Sequence, residues 1–269
     1  SGSKIVLNHY NLQSFDKSLI TPRNLLSVVN SIYDPLGLVA PLTIKLRIAF
    51  RDLFRLDPPL QWDLPLDPGP DLSNWLALIN LLVSAKCVSF PRYTRPQNVT
   101  GIPQLICFFD GSDLAYAAVI YIRWVLSNED VYVSLLCAKP RVTPLQRIST
   151  PRSELNGAVV ASRLLLSAVR SLASSDATPE KVWVVRDSEC TLASLEKINA
   201  PFGEYFGNRI GEIQDNQAQI EKFCPVGNSG EWWHTSSTNN GADRATRLDS
   251  LVTDIIENTS WQCGTSYIE

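Results

Sequence analysis

Apolar residues recur at helical spacing three times in the first third of the chain. Leu25, Leu26, Val28, Val29 and Ile32 follow Thr21-Pro22, where proline suits a first helical turn, and Asp34-Pro35-Leu36-Gly37 closes the run with turn chemistry. A second helix is expected from Pro41 to about Arg55. Leu42, Leu46, Ala49, Phe50, Leu53 and Phe54 line one side of it, with Lys45, Arg47, Arg51 and Arg55 interleaved. A third is expected from Asp71 to Lys86, capped by Asp71 and filled by Leu72, Trp75, Leu76, Ile79, Leu82 and Val83. The proline-rich stretch Pro58 to Pro70, which holds Trp62-Asp63, joins these two.

Past the polar, proline-punctuated segment Pro91 to Pro103 the period changes. Leu105 to Asp110 and Ala115 to Arg123 are short β-rich runs around Gly111-Ser112-Asp113, and Val131 to Ala138 is a third strand. A helix opens at Pro151 with Thr150 as its N-cap and Leu155, Val159, Leu165, Leu166, Val169 and Leu172 at helical spacing. Val182 to Val185 is a strand of the buried type. Helices are expected over Ser188 to Ile198 and Gly203 to Gln214, then a short strand at Glu231 to His234 and a closing helix over Gly241 to Ile256. This succession is a mixed α/β arrangement behind a mainly helical region, divided as 4–95, 100–258 and a C-terminal tail 259–269.

Composition narrows the function classes. The 269 residues are 45% hydrophobic and 19% charged, a balance that forms a core without disulfide staples. No apolar run approaches the eighteen or so residues of a membrane helix and no signal peptide is evident, so no membrane association is expected. Six scattered cysteines and only His9 and His234 leave no material for a zinc site. The opening Ser1-Gly2-Ser3, without any methionine in the chain, reads as the start of a piece taken from something longer. Residues 1–100 carry ten Lys/Arg against seven Asp/Glu, whereas residues 101–269 carry fourteen against twenty. An acidic second half is the reverse of what a self-sufficient nucleic-acid binder shows, and carboxylates that hold metal would account for it.

Four acids stand out by position. Asp110 ends the apolar run Ile106 to Phe109, Asp187 follows Val184-Val185-Arg186, Glu154 lies in the first turn of a helix, and Asp243 follows a polar loop. Charge at the end of an apolar strand is costly without a partner, and a divalent cation is one. Singly, each has a plainer explanation: a turn residue for Asp110, a dipole partner for Glu154, a helix cap for Asp187 and Asp243. Their order on strand, helix, strand and helix carries the functional reading.

The segments around them resemble RNase H domains. Cys107 to Arg123 (CFFDGSDLAYAAVIYIR) resembles the first-strand hairpin, Thr150 to Leu165 (TPRSELNGAVVASRLL) the helix with the family Glu, Val184 to Leu195 (VVRDSECTLASL) the strand with the second Asp, and Trp232 to Arg247 (WWHTSSTNNGADRATR) the His-loop-Asp segment. Within that group the chain is most similar to the BEL/Pao LTR retrotransposon polyproteins. It shares with them a phrase like SIYDPLGLVAP (Ser31 to Pro41), Trp62-Asp63, a segment at Gly211 to Gln214, and a closing pattern at Trp261 to Gly264. The residue before the second Asp is Arg186 where relatives carry Thr or Ser, Ala115-Tyr116-Ala117 lacks the usual glycine, and Asn240-Gly241-Ala242-Asp243 lacks the usual proline.

The resemblance implies an RNase H-like mixed sheet flanked by helices, preceded by a thumb- or connection-like helical region. It implies a two-metal hydrolase cutting the RNA strand of RNA–DNA hybrids, with Asp110, Glu154, Asp187 and Asp243 holding two Mg²⁺, or Mn²⁺ in their place, and His234 assisting the water or product release. It also implies that Gly111 and Ser112 meet the RNA strand. Read from the residues, Lys139, Arg141, Arg147 and Arg152 are expected to contact the nucleic-acid backbone or to form a solvated loop, Arg186 to contact phosphate, pair with Asp187 or point away, and Arg47, Arg51 and Arg55 form a basic helical face that could track the duplex or be merely solvated. Expected partners are the hybrid and the reverse transcriptase and integrase parts of one polyprotein, in a cytoplasmic virus-like particle or the nucleus. A different class of reading is a domesticated or inactive copy that binds or assembles without cutting.

Overall fold

The computed structural model describes residues 3–6, 20–55, 60–175, 177–187, 203–224 and 232–268. Helices α1 (Pro22–Ser31), α2 (Ala40–Leu53) and α3 (Pro70–Ser84) follow a short strand β1 (Lys4–Val6). Thr21 caps α1 by accepting from the Asn24 N–H at 3.2 Å. Gly69, not Asp71, is the N-cap of α3, and Asp71 stands in its first turn. Strand β2 (Ser89–Pro91) pairs antiparallel with β1, a ribbon too short to leave a readable period.

The second half is a five-stranded mixed sheet. Strands β3 (Gln104–Gly111), β4 (Ala115–Val125) and β5 (Val131–Val142) form an antiparallel meander, and β6 (Lys181–Arg186) and β7 (Trp233–His234) add in parallel, in the order β5-β4-β3-β6-β7. Helix α4 (Thr150–Ala173) crosses over from β5 toward β6, and α5 (Glu204–Ile220) packs beside it. Ser149 rather than Thr150 precedes α4, and α5 runs six residues past its expected end. The helix expected over Ser188 to Ile198 lies outside the described residues.

Alternation along the strands sorts their side chains onto two faces. Leu105, Cys107, Phe109, Ala118, Ile120, Val182 and Val184 join α4 and α5 in one core. Ile106, Phe108, Ala117, Val119, Tyr121 and Val185 face the other way, into a core shared with α1, α2, α3 and the C-terminal residues Ala242, Ala245 and Trp261. Helix α4 has the length and apolar composition of a membrane span, which corrects the expectation that no segment approaches one; 56% of its most apolar window is buried inside this fold.

The closing helix does not form. Residues 241–256 make two single 3-10 turns, Asp243–Ala245 and Val252–Asp254. Their short polar side chains bond the main chain instead: Ser250 Oγ donates to the Arg244 carbonyl at 3.2 Å, and Asp254 accepts from the Leu251 N–H at 2.6 Å. Such local bonds compete with a helical ladder.

The cations of α2 are corrected too. Arg51, 8% exposed, donates to the Leu114 carbonyl at 2.9 Å and to Thr143 Oγ1 at 2.7 Å. Lys45, 7% exposed, donates to the Ser250 carbonyl, and Arg55 reaches the Pro144 and Leu145 carbonyls at 3.2 Å. Arg51 and Lys45 thus tie the helical region to the sheet, neither tracking a duplex nor lying in solvent; Arg47 is exposed. Two phrases far apart in the chain also meet, because Trp261 is fully buried and its Nε1 donates to the Leu38 carbonyl at 2.7 Å.

Candidate acidic site

Strand register brings the first two acids together. Strands β3 and β6 pair in parallel up to Phe108 and Val185, which brings Asp110, near the end of β3, and Asp187, the residue after β6, to the same end of the sheet, where the Asp187 charge acts on Asp110. Alternation along β3 turns Asp110 to the face of Phe108. Arg186 alternates the other way, toward Val182 and Val184, and is 2% exposed. That interior place differs from the surface position expected of a nucleic-acid contact.

Glu154 arrives by close backbone packing. A Cβ on Gly111 would lie 2.3 Å from the Glu154 nitrogen, and one on Gly157 would lie 2.6 Å from the Asp110 carbonyl oxygen. Only glycine at both positions lets the end of β3 touch the first turns of α4. Ser153, fully buried, fastens the contact by donating from Oγ to the Ser112 carbonyl at 2.7 Å. Gly111 is therefore buried beneath α4. The Ser112 hydroxyl is also committed internally: it donates toward the Ala115 and Thr246 carbonyls and accepts from the Leu114 and Ala115 N–H groups.

Asp243 is delivered by a clamped turn. Asn240, 3% exposed, donates from Nδ2 to the Phe109 carbonyl at 3.0 Å and accepts from the Ala242 N–H at 3.0 Å. This holds the turn against β3 without the proline that relatives carry. The Asp243 carboxylate accepts from Arg247 Nε at 2.6 Å, and Thr246 Oγ1 donates to Asp110 Oδ2. Neither Asn240 nor Thr246 was singled out by sequence, since a polar residue in a loop carries no periodic signal.

The electrostatics show the cost of the arrangement. Burial pushes the Asp110 carboxyl up to about 6, against the lowering pull of the Thr246 hydroxyl, and the neighbouring Asp187 and Asp243 charges push the same way. Asp243 is raised as well, first by burial, with Arg247 opposing and Asp187 adding to the rise. Three carboxylates thus sense one another. Among the described residues, however, no group of three His, Cys, Asp or Glu side chains is drawn together closely enough to hold an ion. Donor type and mutual charge suit a hard divalent cation such as Mg²⁺, which binds a few carboxylate oxygens and keeps several waters.

His234 sits in β7 beside Asp187, its Nε2 3.1 Å from the Asp187 carbonyl, where a protonated Nε2 donates. Lys139 and Arg141 are exposed on β5, paired with Ala118 and Tyr116 and so level with the acidic end of the sheet, but on the α4 side. They border a groove of about 590 Å³ that also includes Leu136, Leu164 and Arg92. Arg147 is exposed in the loop before α4, and the exposed Arg152 stacks on Tyr205 at 4.8 Å, with Arg209 on the same ring at 3.6 Å.

Comparisons with solved structures give distant likenesses. The N-terminal RNase H domain of a Mycobacterium tuberculosis protein is 15% identical with a TM-score of 0.36, over 53% of this chain and 90% of that one. RNase H1 of Halobacterium salinarum is 10% identical with a TM-score of 0.31, over 54% and 94%. LC11-RNase H1, from compost, solved in complex with an RNA/DNA hybrid, is 8% identical with a TM-score of 0.35, over 57% and 99%. No curated protein matches the chain. The sequence pattern of the family described as "Pao retrotransposon-like RNaseH-like domain" matches residues 21–188, well over half of the chain, and takes in α1 to α4, Asp110, Glu154 and Asp187. With that match, on a mixed five-stranded sheet flanked by helices, the chain belongs to the Pao retrotransposon RNase H-like family.

Proposed function

We propose that this chain is a metal-dependent ribonuclease H that cuts the RNA strand of RNA–DNA hybrids as part of a retrotransposon polyprotein. One observation carries the reading: Asp110 and Asp187 lie at the same end of the parallel pair β3 and β6, where the Asp187 charge acts on Asp110, with the Glu154 backbone packed on Gly111 and the Asp243 turn bonded back to Asp110. Acids are gathered here at a cost to the fold that no structural role offsets.

Asp110, Glu154, Asp187 and Asp243 would hold two Mg²⁺, which when bound supply an activated water and charge stabilisation for in-line phosphodiester hydrolysis. The chain's own groups do the rest. Asn240 and Thr246 keep the Asp243 turn on β3, and Gly111 and Gly157 fix the height of α4 so that Glu154 stays at the strand end. His234, next to the second Asp, is placed to pass a proton to or from a leaving oxygen. Arg147 and Arg152 are the cations that flank the approach to Glu154 and would contact the hybrid backbone. The reverse transcriptase and integrase parts of the polyprotein are the proposed partners, with action in a cytoplasmic particle.

The test is a labelled RNA–DNA hybrid incubated with Mg²⁺, Mn²⁺ or EDTA, beside Asp110→Asn. Cleavage of the RNA strand alone, dependent on metal and lost in the variant, is the expected result. A second reading, a module that binds hybrid without cutting, draws on the engagement of Asp243 with Arg247. It predicts hybrid binding that survives Asp110→Asn with no cleavage by the parent protein in either metal.

A further inference from the structure

We propose that Thr246 is a positioning residue of the acidic site, a role that rests on the metal-dependent reading above. Thr246 is fully buried, three residues past Asp243, and its hydroxyl has one proton and two acceptors in reach: Asp110 Oδ2 and the Asp243 carbonyl at 3.0 Å. An ionised carboxylate is the stronger acceptor, so the proton goes to Asp110. Among the described residues Thr246 is the side chain that hydrogen-bonds this carboxylate. Its own carbonyl lies 3.1 Å from Ser112 Oγ, one residue past Gly111, sharing that hydroxyl's proton with the Ala115 carbonyl.

The end of β3 and the Asp243 turn are therefore stitched together twice through one residue. Held by the Thr246 hydroxyl and also by the Gly111 N–H, the Asp110 carboxylate is oriented by the fold itself. The Thr246 bond ties the position of the first acid to that of the last, so that both are placed before a cation arrives. Among the described residues, the other side-chain link from this turn to β3 is Asn240, which grips main chain only. Partners that orient a ligand in this way are commonly worth tenfold to a hundredfold in metal affinity.

Thr246→Val keeps the shape and removes the hydroxyl, while Thr246→Ser restores it. Titration of the whole chain with Mn²⁺ alone, read by calorimetry and water-proton relaxation, should show about tenfold or greater weakening in the Val variant and less than about threefold in the Ser variant. Hybrid cleavage should lose kcat with KM nearly unchanged in the Val variant. In an Asp110→Asn background Thr246→Val should change Mn²⁺ binding no further, because the bond it removes has lost its carboxylate. That cycle also covers poor folding of the single variant, since a purely structural defect would add in both backgrounds. Parent-like Mn²⁺ affinity in Thr246→Val, or additive losses in the cycle, overturns the role of Thr246. A parent protein that binds no Mn²⁺ and cuts no hybrid overturns the metal-dependent reading itself, and this role with it.

Discussion

Charges occupy two places in this molecule and are treated in opposite ways. At the seam between α2 and the sheet, Arg51 is buried yet ends on oxygens of Leu114 and Thr143, and Lys45, whose ammonium is held by burial below its usual range, ends on the Ser250 carbonyl. At the strand ends, Asp110 and Asp243 are partly buried beside further acids, and their carboxyls are pushed up rather than settled. The seam uses charge to join two layers. The strand ends hold charge that the fold would be steadier without, which is how a site awaiting a cation differs from a structural contact.

The sharpest way to break the seam is Trp261→Ala, which removes a fully buried indole and its bond to Leu38. It should cost about 3–5 kcal/mol, read as a lower urea midpoint. Arg51→Met removes the bonds to the Leu114 carbonyl and Thr143 Oγ1, though Leu114 keeps the Thr143 N–H, and should cost about 1–2 kcal/mol in the same assay. If either change is silent, the helical region is not held by this seam.

The acidic site should respond with the opposite sign. The folded Asp110 carboxyl lies at about 6, above its ordinary value, so below about pH 4 it is protonated folded or unfolded and costs nothing. Between about 4 and 6 the unfolded chain ionises first and the fold loses stability, a loss complete above about 6. Asp110→Asn should therefore stabilise the protein in EDTA at pH 7 by about 2 kcal/mol while abolishing hybrid cleavage, and the gain should vanish near pH 4. A destabilised Asn variant at pH 7 would erase the contrast between the two regions. Smallest of all, Arg247→Ala removes an exposed ion pair to Asp243 and should change stability by less than about 1 kcal/mol. Under the metal-dependent reading, it should also tighten Mn²⁺ binding a few-fold by freeing a carboxylate.

Sequence carried the fold well where period and punctuation agreed. The Leu105 to Phe109 and Val182 to Val185 runs, with apolar residues on every position, announced strands covered on both faces, and their common register then follows from parallel pairing. It carried less where side chains choose between local and distant partners. The pattern Gly241 to Ile256 has helical spacing, but Ser250 and Asp254 take main-chain bonds and Thr246 turns its hydroxyl to Asp110. The spacing of Arg47, Arg51 and Arg55 marks a basic stripe correctly, yet nothing in α2 itself tells that the carbonyls of Leu114 and Thr143 wait for Arg51. The same holds at the site. The acids were visible because charge after an apolar run is anomalous, whereas Thr246 and Asn240 work through bonds to residues more than a hundred positions away.

The meeting of Trp261 with Leu38 spans 223 residues, and it has a consequence for how the chain comes into being. The buried core on the α4 side draws on residues 105 to 224, with Trp232 packed against it soon after α5. The opposite core begins with Ile20 and Leu25 and is closed by Trp261 and Ile268. On a ribosome that adds roughly 5–20 residues per second, the earliest helices wait many seconds for the indole that seals them. One side of the sheet can mature during synthesis, and the side bearing Asp110 closes only once Trp261 and Ile268 have followed, so the order of the chain sets the order in which the two cores are sealed.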